Sequence, residues 1–118
     1  MTPVDIEPHL IGFLNRGHLA AEAFAEVPER RPERFLTVER TGGAGDFRVD
    51  RPTVAVQAWA PTLAEAEALM RDADRAIQAR LADGRPVTSC RRIGLARFPA
   101  EGSPRYQAVY SIAAYETD

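Results

Sequence analysis

Few side chains in this 118-residue chain are suited to covalent or metal chemistry: one cysteine, Cys90, and two histidines, His9 and His18. A thiol attacks as the thiolate, and the adjacent Arg91 and Arg92 could lower its pKa. Nucleophilic catalysis also needs a base, and no histidine is near Cys90 in sequence, so Cys90 reads first as a small, half-buried strand residue. His9 and His18 would face differently on a helix, and neither has a neighbouring ligand pattern, so no metal and no cofactor are expected. Gly42-Gly43-Ala44-Gly45 could cradle a phosphate. It lacks the Gly-Lys-Ser/Thr ending and leads to a strand instead of a helix N-terminus, so it reads as a flexible loop. No carboxylate pair or triad stands out, and the chain is expected not to be an enzyme.

The remaining chemistry is that of surfaces. All 15 basic residues are arginine, set against 17 acidic residues for a formal net charge of -2. A dedicated nucleic-acid binder or membrane-surface protein would need a stronger positive field. Arginine-only usage fits a GC-rich genome, and guanidinium groups also suit protein interfaces. The arginines at 30, 31, 34, 40, 48, 51, 91, 92 and 97 fall mostly in loops and at strand ends, interleaved with Glu29, Glu33, Glu39, Asp46 and Asp50. Mixed signs of this kind point to protein contacts. The interface candidates are Arg40, Arg48, Asp50, Arg51, Trp59, Arg91 and Arg92. Trp59, Tyr106, Tyr110 and Tyr115 fit either a core or a subunit interface.

A chain of this size supports one core, and the whole of 1–118 reads as a single domain. Its apolar runs are only a few residues, against the ~20 that span a bilayer, so no membrane segment is expected. Met1 to Glu7 lacks the basic and apolar regions of a secretory leader, so none is expected. A lone cysteine excludes an intrachain disulfide.

The elements that must position these residues follow from periodicity. Val4, Ile6, Leu10, Ile11, Phe13 and Leu14 mark an amphipathic helix over 4–17, closed by Gly17 and tolerating Pro8 near its start. Residues 19–27 suit a helix by their alanines and an edge strand by their position before Pro28; the strand is preferred. Residues 34–41 alternate as a strand, and 42–52 read as a long polar loop, the expected mobile arm. Residues 53–60 form the clearest strand, apolar on both faces and hence central. Thr62 and Glu65 make a capping box for a helix over about 62–83, with Leu63, Ala66, Leu69, Met70, Ala73, Ile77 and Leu81 buried, a Glu67–Arg71 pair, and Gly84 and Pro86 as the stop. Its polar face is expected to be solvated. Strands over 87–98, weakened at Arg91, Arg92 and Gly94, and over 105–115 close a hairpin. The expected fold is α+β: a mostly antiparallel sheet of four or five strands, an N-terminal helix and a longer central helix.

The run Arg31-Pro32-Glu33-Arg34-Phe35-Leu36-Thr37-Val38-Glu39-Arg40-Thr41-Gly42-Gly43, then Asp50 to Ala60, an Ala/Glu-rich helix and a Tyr106-to-Tyr115 strand, resembles the tail terminator proteins of long-tailed bacteriophages of actinobacterial-type hosts. The resemblance covers nearly the whole chain in element order and length. It implies a small sheet-and-helix subunit of a hexameric ring that caps the tail tube, ends its polymerisation and joins it to the head completion or stopper protein. It further implies a place at the tail–neck junction of the virion, with assembly in the host cytoplasm and DNA passing through the lumen without specific binding. The 42–52 segment, with Arg48, Asp50 and Arg51, is the expected axial contact. Another head-tail connector, a stopper or adaptor, is the nearest alternative; a small enzyme and a nucleic-acid-binding module are the more distant ones.

Overall fold

A computed structural model of the chain describes residues 5–17, 19, 21–46, 48–98 and 103–115. Its elements are α1 (Ile6–Arg16), β1 (Glu22–Phe24), β2 (Phe35–Gly45), β3 (Val49–Trp59), α2 (Leu63–Arg80) with a 3-10 turn at Leu81–Asp83, β4 (Val87–Phe98) and β5 (Arg105–Tyr115). One five-stranded sheet runs in the order β1-β2-β3-β5-β4. Every pairing is antiparallel except that of β1 with β2. The fold is α+β, and β3 is its central strand.

Both helices pack on one face of the sheet. Ile6, Leu10 and Leu14 recur every fourth residue along α1 and are buried against it. On α2, Ala66, Leu69, Met70, Ala73 and Ile77 are buried over Val54, Val56, Ala108, Tyr110 and Ile112, whereas Leu63 is 36% exposed and stands outside the expected stripe. The Thr62 oxygen accepts the Glu65 backbone N–H at 3.2 Å while its hydroxyl donates to the Glu65 carboxylate at 3.0 Å. Glu65 also takes the Arg34 guanidinium, and the two partners, Thr62 first, hold its carboxyl below the usual range. The Glu67–Arg71 pair forms at 2.9 Å.

The 42–52 segment is not a loop. β2 and β3 stay paired through Gly42 with Thr53, Gly43 with Pro52, Ala44 with Arg51 and Gly45 with Asp50, so the glycines lie within a β2–β3 ribbon at one end of the sheet, where β5 still pairs with β3 at Val49 and Asp50. Gly43 has φ 104°, and a Cβ there would lie 2.2 Å from the Arg51 carbonyl oxygen. Glycine here allows two backbones to approach across a strand irregularity. The connection is short because the Asp46 carboxylate accepts the N–H groups of Arg48 and Val49 at 2.9 and 3.0 Å, which also lowers its pKa.

Candidate functional site

Among the described residues, no group of three or more His, Cys, Asp or Glu side chains could hold a metal ion. The Cys90 thiol is pushed up to about 11, first by burial and then by the nearby Asp74 carboxylate. This fits Cys90 as the expected half-buried strand residue and is opposite to the activation that Arg91 and Arg92 offered. Arg91, the next residue along an extended strand, points to the opposite face; Arg92 shares the Cys90 face but is committed to Asp74. Burial, followed by Arg16, lowers the pKa of His9. His18 lies outside the described residues.

The seven interface candidates separate into three places. Arg40, Arg48, Asp50 and Arg51 share the β2–β3 ribbon at one end of the sheet. Arg40 grips Asp50 through two hydrogen bonds of 2.6 and 2.8 Å, and its backbone N–H donates to Glu7 at 2.7 Å, tying the ribbon base to α1. Arg48 and Arg51 are exposed further out. Trp59 lies at the other end of β3, only 7% exposed. Arg91 and Arg92 sit on the edge strand β4, Arg91 exposed and Arg92 turned toward α2.

Two arrangements were missed from sequence. Asp74 is a buried acid on α2 whose carboxylate accepts the Tyr110 hydroxyl at 2.6 Å, Arg92 at 2.7 Å and Gln78 at 2.9 Å. The expected solvated face of α2 is therefore interrupted there. Position 74 lies four residues after Met70 and three before Ile77, and that spacing could have placed it on the buried stripe. Burial, then Asp74, raises the Tyr110 pKa strongly.

The second arrangement is a rung across four strands on the helix-free face. Phe35, Trp59, Arg105 and Phe98 are register partners in turn. Phe35 stacks on Trp59 at 5.2 Å, and the Arg105 guanidinium lies 4.3 Å from the Trp59 ring centre and 4.4 Å from that of Phe98. The Trp59 indole N–H donates to Thr37 at 3.1 Å. Beyond this rung the same face of β3 and β5 carries Thr53, Ala55, Gln57, Gln107, Val109, Ser111 and Ala113. Gln57 and Gln107 are hydrogen-bonded across the strands at 2.8 Å. With both helices on the other side, this face is small, uncharged and uncovered by either helix.

No family model matches the chain, and no curated protein matches it.

Proposed function

We propose that the chain is a non-enzymatic structural subunit of a phage virion, a tail terminator that assembles as a hexameric ring, caps the tail tube and joins it to the head completion or stopper protein. The observation that carries this reading is the helix-free sheet face over β3 and β5. Its side chains are short and uncharged, and Val109, Ser111 and Ala113 are half-buried even in the single chain. Packing a like surface over β3 and β5 desolvates no charge within that patch, which is flanked by Glu39 on β2 and Arg91 on β4. The β2–β3 ribbon at the end of the sheet supports the same reading. It exposes Arg48 and Arg51 beside the β2–β3 connection, on a backbone braced by the Arg40–Asp50 pair, as a contact with a tube or neck protein would require. The near-balance of charge, -2 overall, suits a subunit past which DNA moves without binding.

Imaging the chain mixed with purified tail tubes tests the proposal. A ring seated on one end of each tube is expected from the wild type, and its loss from Val109→Glu, which puts a charge in the middle of the uncovered face. Tubes left bare by a folded wild-type protein would refute it.

A further inference from the structure

The rung at the end of the sheet leaves positive charge unmatched. Arg31, from the connector between β1 and β2, lies over the Trp59 ring at 5.3 Å from its centre and donates to the Ser103 hydroxyl at 3.0 Å. Arg105 reaches the same ring at 4.3 Å and donates to Gln57 at 3.3 Å, while its buried Nε has no hydrogen-bond partner. Neither guanidinium meets a carboxylate among the described residues. Burial and the neighbouring Arg31 both disfavour charge on Arg105. Nearby, Arg34 is matched by Glu33 and Glu65. Among the described residues here, three arginines thus face two carboxylates, both held by Arg34, and one positive charge is left over.

Beside this pair lies a cleft of about 280 Å³, lined by Arg31, Glu33, Trp59, Pro61, Ser103 and Pro104 among others. We infer that Arg31 and Ser103, which line this cleft, form a binding site for an aspartate or glutamate side chain of a partner protein, with Arg105 adding positive charge from beside the Trp59 ring and the partner's flanking residues along the proline and aromatic wall. A guanidinium pairs with a carboxylate through directed, charge-assisted hydrogen bonds, and the Ser103 hydroxyl adds another donor. One surplus charge matches one carboxylate better than a doubly charged phosphate. The apolar wall gives a peptide a contact that a free anion would not use. The site lies at the opposite end of β3 from the β2–β3 ribbon, and it does not depend on the ring reading.

Trp59 is the only tryptophan, so its emission reports on the site directly. The probes are a blocked six-residue peptide alternating glutamate and proline, its glutamine counterpart, and inorganic phosphate, each titrated in about 0.15 M salt and followed by Trp59 emission and calorimetry. Only the glutamate peptide is expected to bind. Arg31→Ala, at an exposed position that should leave the fold intact, is expected to weaken it at least ~10-fold, and Arg51→Ala on the ribbon to leave it unchanged. Equal binding of the glutamine peptide, phosphate binding as tight as the peptide's, or no response to the glutamate peptide would overturn the inference.

Discussion

Replacing Asp74 by alanine is expected to be among the most costly single substitutions in this chain. The carboxylate joins α2 to β4 and β5 by accepting from Arg92, Tyr110 and Gln78, and the residue is 7% exposed. Truncation leaves the Tyr110 hydroxyl, on a fully buried side chain, without its acceptor, at a cost of about 1–3 kcal/mol. Breaking a wholly buried ion pair costs ~3–5 kcal/mol, but the Arg92 side chain is 33% exposed and recovers water, so its share is discounted. The sum is ~3 kcal/mol, a large part of the ~5–15 kcal/mol that holds a domain of this size, and it corresponds to a fall in Tm of ~10 °C. Tyr110→Phe removes one donor and leaves the carboxylate two, and should cost ~1 kcal/mol. Because both changes act on one network, the double variant should lose less than the two single losses together, by more than ~0.5 kcal/mol. Urea titration with thermal melts of the four proteins measures all of this. An Asp74→Ala protein within ~0.5 kcal/mol of wild type, or strict additivity with Tyr110→Phe, would refute the reasoning.

Gly43→Ala should destabilise the β2–β3 ribbon by at least ~1 kcal/mol, since φ 104° and a backbone oxygen 2.2 Å away exclude a Cβ; Gly42→Ala, with open space around it, should be neutral within ~0.5 kcal/mol in the same melts. Cys90 should react slowly with iodoacetamide at pH 8, because its thiol is pushed up to about 11; rapid alkylation of the folded protein would contradict that. The same shift has a consequence for stability. The thiol and the Tyr110 phenol are both raised in the folded state, so their contribution is complete below the unfolded values near 9.0 and 10.0 and is lost as pH rises beyond them. Melts from pH 8 to 11 should show Tm falling at the alkaline end, with a shallower fall in Tyr110→Phe. Joint replacement of Arg48 and Arg51 by alanine should weaken attachment to the tube or neck in a pull-down while leaving Tm within a few degrees, both side chains being exposed.

What could be read from sequence depended on how local the signal was. Thr62 and Glu65 announce α2 within four residues, and the two-faced apolar character of 53–60 suffices to place β3 at the centre of the sheet. The 42–52 segment misled because glycine runs are breakers by composition, whereas these glycines serve a strand pairing visible only once Gly43 lies opposite Pro52. Cys90 is the half-buried strand residue that the sequence favoured, and the activation that Arg91 and Arg92 offered as the alternative is absent for a similar reason. Sequence neighbours on a strand face opposite ways, and the charge that does reach the thiol is the Asp74 carboxylate, 16 positions away. The Phe35–Trp59–Arg105–Phe98 rung needs three strand registers at once, and no pattern within a single segment encodes it.

The proposed role, ending a growing tube, is tested most directly by adding purified protein to tail tube subunits as they polymerise and measuring tube lengths by negative-stain microscopy, with native mass measurement of the caps. The expected result is arrested growth with a cap of six copies of the 13.0 kDa chain, about 78 kDa, on one end. Tubes that lengthen as freely with the protein as without it would contradict the account.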